Sequence, residues 1–260
     1  RPPHPQEQTQ ITAPSFNRDA YIDLIKRSIT NFAYLGGDVA FENFRCVTHY
    51  DVAQGQWKID PLARPITLLS KSQLDLVEEA LLDVEARGVP GDFIEAGIWR
   101  GGVVILMRAL LNAHDIAGRR VFAADSFAGI PKNVRARNDP VDSWSDRWVA
   151  SLAEVQQNIA RFGLLDDRIA FVEGFFADSL KTLAGERFAL IRLDSDSYDS
   201  VEESLVELYP LLSEGGVIII DDWHLVGCKA AVLNYRSRHG VSEDIKVHDG
   251  NAYWVKRDGQ

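Results

Sequence analysis

From Gly91 onward the chain alternates short apolar runs with helical patterns, and this alternation limits the possible folds more than any other feature. Asp92 to Ala96, Arg120 to Ala124, Arg168 to Glu173, Phe188 to Leu193 and Val217 to Ile220 read as strands. They are nearly continuous in apolar character, as strands buried on both faces of a parallel sheet must be. Helical spacing follows each one, over Gly102 to Ala113, Trp148 to Phe162, Asp178 to Leu183, Ser200 to Leu212 and Cys228 to His239. Ile245 to His248 and Ala252 to Lys256 form a terminal strand pair. The expected fold is α/β and Rossmann-like: a mostly parallel, seven-stranded sheet with helices on both faces.

Upstream, Tyr21, Leu24, Ile25, Ile29 and Phe32 recur at helical spacing and predict an amphipathic helix over Phe16 to Leu35. An irregular stretch carrying Phe41, Phe44, Tyr50 and Trp57 runs to about Pro65. A second helix, Ser70 to Ala86, ends before Gly88-Val-Pro-Gly91. Arg1 to Pro14 reads as a disordered lead-in without the apolar core of a signal peptide. The expected division is an N-terminal extension over 1–66 and the main α/β domain over 67–260. A net charge of −10 argues against nucleic acid or an acidic membrane as partner. Cys46 and Cys228 cannot build a disulfide framework, so a cytoplasmic location is expected. Arg108 interrupts Val103 to Leu111, the longest apolar candidate for a membrane span.

Two acidic clusters stand at equivalent points. Asp194-Ser-Asp196 ends one strand run and Asp221-Asp222 ends the next. Residues just past the carboxyl ends of parallel strands line the crevice where such sheets bind ligands. Four carboxylates gathered there repel one another unless something positive lies between them, and a hard divalent ion such as Mg²⁺ fits. The competing role for each Asp is to cap the following helix.

Glu95-Ala-Gly97-Ile-Trp-Arg-Gly101-Gly102 sits where the first strand turns into its helix, and glycines there let a ligand approach the backbone. Asp125, ending the next strand, is placed to accept from ribose hydroxyls. Both features suit NAD and S-adenosylmethionine equally. The spacing E-x-G-x-x-x-G-G departs from the dinucleotide pattern, and its acid suits a cationic sulfonium ligand better than a pyrophosphate.

These residues carry a family resemblance. Val89-Pro-Gly-Asp-Phe-Ile-Glu-Ala-Gly-Ile-Trp-Arg-Gly-Gly102, Ala124-Asp-Ser-Phe-Ala-Gly-Ile-Pro131, Leu193-Asp-Ser-Asp-Ser-Tyr198 and Ile220-Asp-Asp-Trp223 resemble, in order, the motifs of the macrocin O-methyltransferase (TylF-like) family. Cys228-Lys-Ala-Ala-Val232 with Arg236 extends the likeness. It implies a class I methyltransferase that uses S-adenosyl-L-methionine and Mg²⁺ to methylate a sugar hydroxyl on a glycosylated natural product, as in antibiotic biosynthesis. Carried over by position, Asp194, Asp221 and Asp222 are the implied metal ligands and Asp196 the general base. Glu95, Ala96, Gly97, Ile98, Trp99, Arg100 and Gly101 would hold the cofactor with Asp125, Ser126, Phe127 and Gly129. Gly174 and Phe175 complete that set. Ser195 stands where the family commonly has Gly. The expected partners are a glycosylated small-molecule acceptor and further copies of the chain, as a homodimer or higher homo-oligomer.

The residues also permit other roles. His224 could serve as base or acceptor contact, and the Asp142 to Trp148 stretch reads as a lid. Trp99 and Phe127 are candidates to exclude water, or simply core. A metal-dependent catechol or phenol methyltransferase would use the same acids. An NAD-dependent oxidoreductase and a non-catalytic S-adenosylmethionine-binding module are the alternatives from other classes.

Overall fold

A computed structural model of the chain describes residues 16–34, 40–44, 48–51, 56–59, 65–136, 139–143 and 148–257. The lead-in and the 144–147 part of the expected lid lie outside these residues. Helix α1 (Arg18–Ile29) starts at Asn17, whose side chain accepts from the Ala20 amide, and buries Ile22, Ile25 and Ile29. It stops well before Leu35 because Asn31 turns left-handed, at φ 63°. Leu24, placed by spacing on the apolar face, is 56% exposed. The stretch read as irregular contains an antiparallel hairpin, β1 (Thr48–Asp51) with β2 (Gln56–Ile59). Strands of four residues with mixed polarity leave no periodic signal. Helix α2 (Lys71–Ala86) begins with a reciprocal capping box between Ser70 and Gln73. The buried Lys26 ammonium ties α1 to α2 through Asp75 (2.6 Å) and Glu78.

The sheet follows: β3 (Asp92–Ala96), α3 (Gly102–Ala113), β4 (Val121–Asp125), α4 (Leu152–Arg161), β5 (Ile169–Glu173) and a short α5 (Phe176–Ser179). Then come β6 (Phe188–Leu193), α6 (Tyr198–Leu208), β7 (Leu212–Ile220), α7 (Val226–His239), β8 (Lys246–His248) and β9 (Asn251–Val255). The order is β5-β4-β3-β6-β7-β9-β8. The first five are parallel, and β9 runs antiparallel to both β7 and β8. The mostly parallel, seven-stranded, Rossmann-like sheet is therefore as expected.

Period-two alternation divides the strands between two cores. Phe93, Val121, Leu190 and Ile219 pack with α1, α2 and α3 on one face. Ile94, Phe122, Ile191 and Ile218 pack with α6 and α7 on the other. Every residue of α3 except Asn112 is buried, as an apolar-all-round helix requires. Truncating Leu106 there to Ala should cost about 2–5 kcal/mol. The chain leaves β3 toward β4 on one side and returns to β6 on the other. A crevice opens at the carboxyl ends where that order reverses. No helix among the described residues is long and apolar enough to cross a membrane.

Candidate active site

The crevice is a cleft of about 370 Å³ whose wall includes Glu95, Gly97, Asp125, Asp194, Asp196, Asp221 and Asp222. Four loops meet there, and each turns on a left-handed non-glycine residue: Trp99 after β3 (φ 43°), Phe127 after β4 (52°), Asp196 after β6 (53°) and Asp222 after β7 (50°). Such conformations cost of order 1–3 kcal/mol each and persist only when their surroundings hold them. Gly97, at φ 90°, lies against the Asp194 backbone; a Cβ there would sit 1.7 Å from the Asp194 carbonyl oxygen. Glycine is therefore obligatory, and the Gly-rich turn and the acidic loop touch main chain to main chain. Ser195 Oγ adds a bond to the Ala96 carbonyl (3.4 Å).

Asp125 braces the turn. Its Oδ2 accepts from the amides of Ile98 (2.9 Å) and Trp99 (3.0 Å), and its Oδ1 accepts from Phe127 (2.9 Å). Both oxygens thus have backbone partners, a role the sequence did not reveal. Burial raises its pKa, with the amide bonds opposing.

Helix capping does not occupy the two acidic clusters. The N-cap of α6 is Ser197, which accepts from the Ser200 amide, and the N-cap of α7 is Leu225, which makes no side-chain cap bond. Oxygens of Asp194, Asp221 and Asp222 instead converge within 4.8 Å of one another. Beside them lies a residue the motif reading missed. Arg192, fully buried in β6, donates through Nη1 to Glu95 Oε1 (2.5 Å) and Asp194 Oδ2 (2.9 Å), and through Nη2 to Asp221 Oδ2 (2.8 Å). Glu95 Oε2 is buried without a partner.

One guanidinium does not balance Glu95, Asp194, Asp196, Asp221 and Asp222. Burial, only partly opposed by Arg192, pushes Glu95 up to about 8. Burial, then the Asp194 charge, pushes Asp196 and Asp221 up to about 7. Asp222 is held well above the usual carboxylate range by burial and by Asp196, with which it shares a hydrogen bond. Two carboxyl groups bond in this way only if one keeps its proton.

Of the other expected residues, Ile98, Trp99, Ser126, Gly129 and Phe175 line the cleft, as does the exposed His224. Ala96, Arg100, Gly101, Phe127 and Gly174 do not line it. The Arg100 guanidinium turns away to Glu154 (2.9 Å) and the Pro65 carbonyl (2.7 Å). Gly101 packs toward Val155 of α4, Gly174 toward Ser179, and Phe127 belongs to the core. The expected lid enters the site through Trp148, edge-on to Trp99 at 5.7 Å between ring centroids. The residues before the expected lid, 133–135 and Asp139, dock on the start of α6. Asp199 accepts from the amides of Val134 (2.5 Å) and Arg135 (2.9 Å), and Asp139 accepts from Tyr198 (3.1 Å). The cleft is also lined by Ile66, Thr67, Leu68 and Leu69, which no motif covers.

Comparison with known proteins agrees with this geometry. The family model for macrocin O-methyltransferase (TylF) matches residues 18–257, so the likeness begins well upstream of the first motif. Mycinamicin III 3''-O-methyltransferase of Micromonospora griseorubida is 36% identical over 255 residues, covering 93% of this chain and 98% of the relative. The 8-demethyl-8-(2,3-dimethoxy-alpha-L-rhamnosyl)-tetracenomycin-C 4'-O-methyltransferase of Streptomyces olivaceus is 39% identical over 251 residues, covering 91% of this chain and 92% of the relative. The solved structure of the O-methyltransferase NovP superposes with a TM-score of 0.80 at 31% identity, covering 93% of this chain and 100% of that one.

Proposed function

The chain belongs to the macrocin O-methyltransferase (TylF) family, and from that premise we propose that it transfers a methyl group from S-adenosylmethionine, with Mg²⁺, to a sugar hydroxyl of a glycosylated natural product. The observation that carries this reading is one cleft holding two adjoining features. These are a glycine turn beside an unpartnered buried carboxylate oxygen and a convergent set of three acids. Family membership sets the NAD reading aside.

The residues fit both groups. Glu95 Oε2, buried and unpaired, is an acceptor for the ammonium of the cofactor's methionine part. Ile98, Trp99, Asp125, Ser126, Gly129 and Phe175 supply the rest of that pocket. Asp194, Asp221 and Asp222 supply the hard oxygens Mg²⁺ prefers. Their spacing within 4.8 Å suits metal–oxygen bonds of about 2.1 Å. When bound, the ion supplies Lewis acidity that eases ionisation of a sugar hydroxyl, and S-adenosylmethionine supplies an electrophilic methyl. Asp196 takes the hydroxyl proton. Burial raises its pKa above the ordinary carboxylate value, which makes it a better base than a free Asp. His224, exposed on the same wall, contacts the acceptor or serves as the alternative base. Trp99 and Trp148 shield the reacting atoms from water.

Among the described residues the cleft wall has no Lys or Arg, which favours an uncharged glycoside over a phosphate-bearing nucleotide sugar. Methyl transfer from S-adenosylmethionine to a panel of glycosylated aglycones and nucleotide sugars, read by mass spectrometry with and without Mg²⁺, tests the proposal. A methylated glycoside formed only with the ion supports it. Binding of NAD but not S-adenosylmethionine, or transfer only to nucleotide sugars, contradicts it.

A further inference from the structure

Arg192 interrupts the apolar run of β6, where parallel-strand packing calls for Leu, Ile or Val. Removing a guanidinium from water costs several kcal/mol unless its partners are excellent, and its Nε has no partner at all. Its fork compensates by meeting acids on three adjacent strands. In register Arg192 lies opposite Glu95 on β3 and Ile219 on β7. It reaches Glu95 beside it, Asp194 just past the end of β6, and Asp221 just past the end of β7. Each acid meets it through one oxygen. The free oxygen of Glu95 is the one assigned above to the cofactor, whereas Asp194 and Asp221 belong to the convergent triad.

We propose that Arg192 is a positioning residue that couples the cofactor pocket to the divalent-ion site, by holding Glu95, Asp194 and Asp221 on one rigid fork while touching neither ligand. This rests on the function proposed above. The physical basis is competition for charge. A cation at the triad draws Asp194 and Asp221 away from the guanidinium, and Arg192 then bears more fully on Glu95. What Glu95 offers the cofactor therefore depends on the ion, and reciprocity makes the ion's affinity depend equally on the cofactor. Lysine keeps the charge but lacks the planar fork that can bridge three carboxylates.

Titration calorimetry of the full chain with S-adenosylhomocysteine, with Mg²⁺ alone, and with each in the presence of the other tests this, with melting temperatures as a check on folding. In the wild type, saturation by either ligand should change the dissociation constant of the other by about fivefold or more. Arg192→Lys should weaken both ligands about tenfold or more, the usual effect of removing a group that orients metal ligands. Its coupling should fall to within about twofold of none. Glu95→Gln, isosteric and freed from the guanidinium's charge, should also lose the coupling while its Mg²⁺ affinity stays within about threefold of wild type. The second variant decides the matter if Arg192→Lys does not fold. Independent binding in the wild type, or wild-type coupling surviving in whichever variant folds, overturns the inference alone. A wild type that binds neither ligand overturns the proposed function as well.

Discussion

Replacing Asp125 with Ala removes three hydrogen bonds at once, those its two oxygens accept from the amides of Ile98, Trp99 and Phe127. A charge-assisted bond contributes roughly 1.5–3 kcal/mol when its partner is cut away. Two of these amides belong to residues in left-handed conformations, Trp99 and Phe127, so the carboxylate also holds strained backbone in place. The turn borders an open cleft, and water recovers part of the loss, leaving roughly 2–4 kcal/mol. For a chain of this size each kcal/mol moves the melting temperature by about 2–4 °C. The cofactor-free variant should therefore melt roughly 4–16 °C below wild type. Its dissociation constant for S-adenosylhomocysteine should also rise, by about tenfold or more. Differential scanning calorimetry without ligand and titration calorimetry with it give the two numbers separately. An Asp125 serving only ribose hydroxyls would change affinity and leave the cofactor-free melting temperature alone. A ligand-free melting temperature within about 1 °C of wild type would therefore refute the bracing role.

Asp194→Asn should lose Mg²⁺ affinity and turnover together, whereas Asp196→Asn should keep Mg²⁺ affinity and lose about 10²–10⁴ in kcat; equal loss of metal affinity in both would make Asp196 a ligand. Turnover should vanish in excess EDTA and return with Mg²⁺ or Mn²⁺, and full turnover in metal-checked EDTA contradicts the ion's role. Gly97→Ala drives a Cβ to 1.7 Å from the Asp194 carbonyl oxygen, so overpacking should cost about 1–3 kcal/mol and weaken Mg²⁺ as well as cofactor; Mg²⁺ titrations matching wild type would show that the two loops move independently. Glu95 is raised to about 8, and Asp196 and Asp221 to about 7, so between pH ~4 and ~8 the folded chain holds more of their protons than the unfolded one. Their stabilising contribution is fully present below about pH 4 and is lost as pH rises through 7 to 8. Melting temperatures in EDTA should fall across that window, with Mg²⁺ restoring more at its upper end, and a rise in EDTA contradicts this.

The strands were legible where strong breakers flank an apolar run. Asp92–Ala96 lies between Gly91 and Gly97, and Phe188–Leu193 ends at Asp194; both bounds agree with the structure. Strand β7 extends back to Leu212 although the expected run began at Val217, because Ser213-Glu-Gly-Gly216 hides the strand's start behind polar and flexible residues. Helix α6 starts at Tyr198 because Ser197 caps it, a signal present in the sequence but overlooked. The acids of the site were legible as pairs at strand ends. Arg192 was not, because its partner Glu95 is distant in sequence and becomes a neighbour only through the pairing of β3 with β6. Arg100 misled in the opposite sense. It sits within the glycine motif, yet its guanidinium is claimed by Glu154, a residue that only the packing of α4 brings near.

Several costs of this fold meet in one place. Four left-handed non-glycine residues, the unpartnered atoms Glu95 Oε2 and Arg192 Nε, and mutually repelling carboxylates all lie at the carboxyl ends of β3, β4, β6 and β7. Away from the cleft the same strands are paired and apolar, and α3 is buried on nearly every side. A core of that kind can hold strained loops in shape, because closely packed elements do not yield to small forces. Relaxing Asp196 or Asp222 into ordinary backbone would remove strain, but it would also turn their carboxylates away from the cluster. At the cleft, strain and charge repulsion go together: oxygens are held facing one another. Under the proposed function, a cation bound there would release repulsion already present, leaving more of its interaction energy for positioning the acceptor hydroxyl.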